Sequence, residues 1–352
     1  YKDNNNIKSL YSKFYHFMNL VYSKKVYDEF VNVIKKNKPD IIHVHNFFPQ
    51  ITPSIFYAAK KHNIPIINTL HNYRLICPSV TLMHRNKIYE KSLTNSPYST
   101  IIDKVYRNSY FGTFALARMI SYHKKHHTWN KKVDKFIALT NFSKSKFVES
   151  GFGMNQITIK PNFVFDIFDP NSNNKKYALF VGRISEEKGV KYLIEAWNKI
   201  DYKLVLAGSG PLEDYVKSKV NDNIIFLGKQ NKEEIKKLMN KASFLIIPSI
   251  WYEGFPMVIL EAYSAALPVL GSKIGSIKEV ILNKITGLHF NPNDSVDIIK
   301  KVENLIGDND LLNQLSKNAR EEYLKKYTPE KNYNILIDIY KDTILNEKNN
   351  HG

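Results

Sequence analysis

The stretch EGFPMVILEAYSAALPVLGS, residues 253–272, sets two carboxylates, Glu253 and Glu261, on one short segment. Glu253 opens a Gly254-Phe255-Pro256 loop, and Glu261 falls on the helix expected to follow it. A helix rises about 1.5 Å per residue, which would put Glu261 roughly two turns in, facing a ligand held at the helix start. Glu253, Gly254 and Phe255 would then lie at the mouth. There, free backbone N–H groups and the positive end of the helix dipole attract phosphate. A carboxylate on each side of an anion site suits a nucleotide-sugar, with phosphate in the middle and hydroxyls at both ends. The same two glutamates equally suit a solvated side chain and an ordinary helix start, so their neighbours must decide.

Gly182-Arg183-Ile184-Ser185-Glu186-Glu187-Lys188-Gly189 follows an apolar run. Arg183 offers a planar fork for phosphate oxygens, Lys188 a mobile point charge, and Gly182 a close backbone approach. The charged trio at 186–188 also reads as a solvated turn. Gly208-Ser209-Gly210-Pro211 is a second tight turn at a strand end and reads slightly better as a turn than as a phosphate loop. His71 stands where a strand stops, where a histidine can donate to a sugar hydroxyl or a developing charge. His43 and His45 alternate along one strand and share a face, and a buried structural role suits at least one of them. Asp308-Asn309-Asp310 precedes a helical pattern and reads as a cap, with Asp310 at the N-cap and Asp308 in its turn, rather than as a metal site. The chain has no zinc spacing, no GxxxxGK[ST] loop and no GxSxG elbow.

The elements that must carry these residues alternate. Apolar runs at 41–45, 64–70, 135–140 and 157–164 read as strands. A helix is expected over 54–63, and another after the cap Asn141-Phe142-Ser143. One or two amphipathic helices are expected over 7–36, with Leu10, Phe14, Phe17, Met18 and Val21 on the apolar face. After a hydrophilic hinge, residues 169–176, the pattern restarts with strands at 177–182, 203–208, 224–228, 243–249 and 268–272, and helices from Val190, Leu212 and Lys232. The last segment, from Pro329, is expected to be helical and to pack back on the first domain. Continuous apolar strands separated by helices predict an α/β chain with two doubly wound parallel sheets. The domains are expected at 1–168 and 177–328, followed by the helix 329–352. Ligands would bind beyond the strand C-termini.

The chain has 352 residues, a single cysteine (Cys77) and a net charge of +18. One cysteine excludes an internal disulfide and fits a reducing cytosol. No apolar run is long enough to span a membrane. The charge is uneven. Residues 1–173 hold 25 Lys+Arg against 10 Asp+Glu, a balance of +15, and residues 174–352 hold 26 against 23, a balance of +3. A basic front half points to a polyanionic partner, or else to a lysine-rich coding bias.

Taken in order, PDIIHVHN (39–46), TLHNYRLICPS (69–79), FIALTNFSKSKFVESG (136–151), KPNFV (160–164), FVGRISEEKG (180–189), LAGSGP (206–211) and the 253–261 segment resemble the family 4 glycosyltransferases. These are retaining enzymes of the GT-B fold, two Rossmann-like domains facing each other across a cleft. The HNYRLICP element looks most like the bacterial enzymes of capsule, exopolysaccharide or lipopolysaccharide synthesis. The resemblance implies that Gly182, Arg183 and Lys188 hold the donor diphosphate. Glu261 would bind the ribose hydroxyls, and Glu253 with the backbone of Gly254, Phe255, Pro256 and Met257 would hold the transferred sugar. His71 would contact that sugar from the first domain, with Lys229 and Gln230 near the base. Glu253 and His71 are the expected catalytic groups.

The implied donor is a UDP- or GDP-sugar, and the implied acceptor a glycan or lipid-linked saccharide. No metal or other cofactor is implied. Nothing before Ile41 reads as the family's opening strand and glycine-rich loop, so the chain is expected to lack them and to fall short of full activity. Lys104, Arg107, Arg118, Lys124 and Lys125, interleaved with Tyr106, Tyr110, Phe111, Phe114, Tyr122 and Trp129, suit either an anionic membrane surface or a packed helix with a wet side. The first reading implies a cytoplasmic protein held peripherally on the inner face of the membrane. A catalytically silent GT-B scaffold is the main alternative, although it would have had no need to keep Glu253, Glu261, Arg183 and Lys188. A hydrolase needs no Arg/Lys phosphate clamp, a phosphorylase lacks its cofactor lysine signature, and no nucleic-acid recognition motif is present.

Overall fold

The computed structural model describes residues 17, 19–171 and 176–351, with the side chains of 348–351 excepted. The chain divides into two compact units. One comprises Tyr1–His84, Tyr89–Lys160 and Asn334–Gly352, and the other Arg85–Ile88 and Pro161–Tyr333. Leu10, Phe14 and Met18, expected on an early amphipathic helix, lie outside the described residues, as do residues 172–175 of the hinge.

Among the described residues, the main sheet of the first unit has four strands, β1 (Ile42–Val44), β2 (Ile66–Leu70), β3 (Lys135–Ala138) and β4 (Ile157–Ile159). They are all parallel and lie in the order β1-β2-β3-β4. Among the described residues this sheet ascends in one direction. β4 stops at Ile159 rather than running to residue 164, because Pro161 has no N–H to donate to a ladder. The helices Lys24–Asn37 and Ser54–Lys61 pack on one face through Ile34, Ala58 and Ile64. The helix Pro329–His351 packs on the other, where Ile339 and Leu336 meet Ile67 and Ile137. Lys60 ties that helix down by pairing with Glu347 at 2.7 Å and with Asp134 at 2.5 Å. The helix Asn141–Glu149 is capped by Thr140, whose hydroxyl accepts from Ser143 N at 3.0 Å, so the cap falls one residue before the expected Asn141.

The second unit carries β5 (Ala178–Val181), β6 (Leu204–Ala207), β7 (Ile224–Phe226), β8 (Phe244–Ile247), β9 (Val269–Ser272) and β10 (Gly287–Phe290). All are parallel, in the order β10-β9-β8-β5-β6-β7. The order reverses between β5 and β8, the doubly wound arrangement of a dinucleotide-binding sheet. β10 was not expected, since GLHF is too short and mixed to announce a strand. One face of the sheet is covered by Leu193, Trp197, Ile298 and Val302, the other by Ile259, Leu260, Tyr263 and Tyr323.

This unit begins at Pro161, eight residues before the expected hinge. The reason is local. Val164 N donates to Tyr327 O at 3.2 Å, Tyr323 Oη donates to Val164 O at 3.1 Å, and Arg320 clamps Asp166 with two bonds of 2.6 Å. Asp308, not Asp310, caps the helix Asn309–Lys326 by accepting from Leu311 N at 2.8 Å. Asp310 sits in the first turn, where an acid suits the helix dipole.

Candidate active site

The reversal between β5 and β8 splits two loops at the C-terminal edge of the second sheet, and such a crevice is where ligands bind in open α/β sheets. The β5 loop carries Gly182–Lys188 and the β8 loop carries Pro248–Pro256. They are pinned together at Gly189, which has φ of +69° and lies so close to Pro248 that an added Cβ would stand 1.8 Å from the Pro248 carbonyl oxygen. Ile250 N donates to Glu187 O at 3.0 Å just beyond. The β6 loop is fitted in the same way. Gly208, at φ +154°, leaves no room for a Cβ against the Gly182 carbonyl, and Ile184 N donates to Ser209 O at 3.0 Å. Gly208-Ser209-Gly210 thus braces the Arg183 loop from behind.

This pinning brings Lys188 to Glu253. Lys188 Nζ lies 2.5 Å from Glu253 Oε1, and the same oxygen accepts from Ser249 Oγ at 2.8 Å. Glu253 is buried, and Lys188 also lies 5.4 Å from the Trp251 ring centre. The indole N–H of Trp251 and the hydroxyl of Ser185 are buried without a hydrogen-bond partner. Buried polar groups ordinarily find partners, and these two leave donors unspent in the loops that carry the ion pair. Arg183 is different in kind. Its side chain is 63% exposed and reaches Glu187 only at 3.8 Å, so it is open to an incoming anion.

The helix after the β8 loop is Met257–Ser264. Glu261 is therefore one turn in rather than two, because Pro256 still lies outside the helix. Burial pushes the Glu261 carboxyl above its ordinary value, and Lys232 at the head of a neighbouring helix pulls it partly back. Ser276 Oγ donates to the Gly254 carbonyl at 3.4 Å and steadies the glycine loop. Lys229 and Gln230 follow β7, two strands from β5. Lys229 is exposed, and Gln230 donates to Leu227 O at 2.6 Å.

His71 belongs to the first unit. Its Nε2 lies 2.8 Å from His45 Nδ1, just beyond the ends of β2 and β1. His43 is engaged on both nitrogens, with Thr69 Oγ1 at 2.7 Å and Tyr340 Oη at 2.6 Å, as a structural histidine would be. Burial lowers all three, His43 to about 4; the His45 charge and then that of Lys160 add to the effect on His43 and His71, and Lys160 alone adds to it on His45. Sequence reasoning placed Ser249 and Trp251 in a ligand-edge loop and Lys160 in a matching motif without giving any of them a role, and it missed Lys232 and Tyr340. Of these, only Trp251 carried a signal, as a large aromatic two residues before Glu253. Trp129, grouped with the basic and aromatic face, is instead buried on the separate short helix Thr128–Lys132, and Lys104, Tyr106 and Arg107 precede the helix Tyr110–Lys125.

Arg183, Lys188 and Glu253 stand at the reversal of one Rossmann-like sheet, and His71 at the C-terminal edge of another parallel sheet. Family comparisons name the class. Residues 6–165 match the model "Glycosyltransferase Family 4", and residues 165–322 match "Glycosyl transferases group 1". The chain belongs to the family 4 glycosyltransferases and is a hexose-transferring enzyme of α/β GT-B fold.

Among its relatives, an uncharacterized glycosyltransferase of Methanocaldococcus jannaschii, MJ1178, is 28% identical over 330 residues, 93% of this chain and 82% of the relative. A second from that organism, MJ1607, is 34% identical, but over only 48% of this chain and 45% of the relative. An Escherichia coli UDP-Gal:alpha-D-GlcNAc-diphosphoundecaprenol alpha-1,3-galactosyltransferase is 25% identical over 90% of this chain and 78% of its own. Among solved structures, Anabaena Alr3699/HepE in complex with UDP superposes with a TM-score of 0.66 at 18% identity, covering 90% of this chain and 82% of that one.

Proposed function

We propose that the chain moves a sugar, with retention of anomeric configuration, from a UDP- or GDP-sugar to a glycan or lipid-linked acceptor in the synthesis of a cell-surface polysaccharide. The observation that carries this reading is the Lys188–Glu253 pair at the strand-order reversal, with Arg183 open beside it. Arg183 and Lys188 take the diphosphate, and Glu261 accepts from the ribose hydroxyls. Glu253 and the Gly254–Met257 backbone hold the sugar. The bond from the anomeric carbon to the diphosphate oxygen breaks, with its electron pair leaving on the diphosphate. The acceptor oxygen bonds to the same carbon on the same face, and its proton passes to the departing diphosphate. Fixed positive charge on the leaving group is the main source of rate, supplied here by Arg183 and Lys188 without a required metal.

The polysaccharide role rests on relatives such as the Escherichia coli galactosyltransferase, whose acceptor is alpha-D-GlcNAc-diphosphoundecaprenol. Among the described residues, no helix is long and apolar enough to cross a membrane. The helix Tyr110–Lys125 exposes Tyr110, Phe111, Phe114 and Tyr122 beside Lys124 and Lys125, with Lys104 Nζ 4.3 Å from the Tyr110 ring centre. We infer that this face rests on the anionic cytoplasmic leaflet, where a lipid-linked acceptor would be met.

A thermal-shift panel of UDP, GDP, ADP and CMP with their common sugar conjugates tests the donor reading. Stabilisation by one nucleotide family is expected, and none by any would refute it. Flotation with phosphatidylglycerol vesicles at low salt tests the membrane reading, and failure to co-float would end it.

A further inference from the structure

The helix Pro329–His351 reaches the ligand edge of the first sheet through one side chain. Tyr340 Oη lies 2.6 Å from His43 Nδ1, and His43 Nε2 lies 2.7 Å from Thr69 Oγ1. With both nitrogens engaged, the His43 ring has one orientation. That ring stands 4.3 Å from the His45 ring, tilted by 34°, and forms one wall against it. His45 Nδ1 in turn lies 2.8 Å from His71 Nε2.

An N–H···N bond needs one proton and one lone pair, so His45 and His71 must hold matched tautomers. When His45 Nδ1–H donates, the His71 proton sits on Nδ1. That nitrogen is the one the pair leaves for a substrate oxygen. In the opposite arrangement, His71 offers only a lone pair.

We propose that Tyr340 and His43 are positioning residues that fix the orientation of the His45 ring and, through its contact with His71, of the His45–His71 pair, so that the terminal helix is part of the site. This rests on the role given to His71 above. The groups facing the pair are His43 on β1, Lys160 after β4, and Tyr340 on the terminal helix. Burial and the Lys160 charge both favour neutral rings, the state in which the N–H···N bond is intact.

Tyr340→Phe removes only the hydroxyl. The helix keeps its anchor through Ile339 and the Lys60–Glu347 pair, so the thermal midpoint should fall by only a few degrees, the cost of one hydrogen bond. In the full chain labelled with ¹⁵N-histidine, the ring nitrogen signals of His45 and His71 should move or broaden, although neither ring touches Tyr340 Oη. His43→Gln should change the same two residues. With the donor found by the nucleotide panel, kcat should fall about tenfold at unchanged donor KM, as expected for a displaced active-site group.

Signals that change only at His43 in Tyr340→Phe, with His45 and His71 as in wild type, would overturn the proposal, as would wild-type kcat in both variants. Failure of the transferase reading would look different. No variant, wild type included, would transfer sugar, while the nitrogen signals would still report whether the four side chains are linked.

Discussion

The Lys188–Glu253 pair makes a prediction that separates two kinds of site residue. At 2.5 Å and an effective dielectric of about 20, the gross attraction is about 6–7 kcal/mol. Most of it is returned as desolvation and screening. The lysine side chain is 23% exposed and the glutamate 10%, so the net coupling should be about 1–2 kcal/mol. The two single variants should nevertheless differ. Lys188→Met leaves a buried carboxylate with only Ser249 as donor, costing about 2–3 kcal/mol. Glu253→Gln leaves a lysine that can still reach water, at about 1 kcal/mol. For a unit of this size that is a fall of roughly 4–10 °C in thermal midpoint against roughly 2–4 °C, with the double variant less damaged than the sum.

Ligand binding should separate the two variants further. Lys188→Met removes a charged donor to the diphosphate and should weaken the cognate nucleoside diphosphate about 10- to 100-fold by calorimetry. Glu253→Gln frees Lys188 from its internal partner, so nucleotide affinity should hold or tighten while sugar transfer slows. If Glu253→Gln weakens the free nucleotide as much as Lys188→Met does, or if the two stability effects simply add, the ion pair is not the gate to the phosphate site.

Other perturbations test other parts of the argument. Burial raises the Glu261 carboxyl, so the native state holds that proton more tightly than the unfolded chain. Its contribution is fully present below about pH 4.5 and is lost as pH rises through the raised value. Glu261→Gln should therefore raise the thermal midpoint at pH 7, leave it unchanged near pH 4, and weaken nucleotide binding. A variant less stable at pH 7 than the wild type would contradict this. Gly189→Ala would force a methyl into the Pro248 carbonyl and part the two site loops, so a midpoint drop of several degrees with loss of nucleotide stabilisation is expected. Chelation by EDTA should leave transfer unchanged, and restoration of activity by a divalent ion would show that Arg183 and Lys188 do not suffice. His43 and His123 are both lowered to about 4 by burial, so the stability they lend is present above pH 6.5 and lost as pH falls toward 4. A flat midpoint between pH 7 and pH 4.5 would refute that assignment.

Much of this site was legible because its pieces are local. Gly182–Lys188 and Ser249–Pro256 each follow a continuous apolar strand, and parallel sheets put such loops on one edge whatever their side chains. What failed was fine placement. Glu261 came out one turn shallow because the helix waits for Met257, past a proline whose own backbone is not helical. The caps at Thr140 and Asp308 slipped by a residue or two for a related reason. Any of several adjacent polar residues can accept from a helix N–H, and only backbone geometry chooses among them.

The rest was invisible in principle. His43 and Tyr340 are 297 positions apart, and nothing in NYNILIDIY distinguishes Tyr340 from Tyr333, which lies exposed on the same helix. Choosing between them requires the register in which that helix lies on the sheet, set by Ile339 and Leu336 against Ile67 and Ile137. The order of dependence is then clear. Apolar packing fixes the helix, the helix delivers one hydroxyl, and the hydroxyl orients the ring that His45, the partner of His71, packs against. A residue with a role at the end of such a chain leaves no local motif. It becomes visible only once packing has been solved, so the chemistry of His71 is set partly by residues chosen for the core.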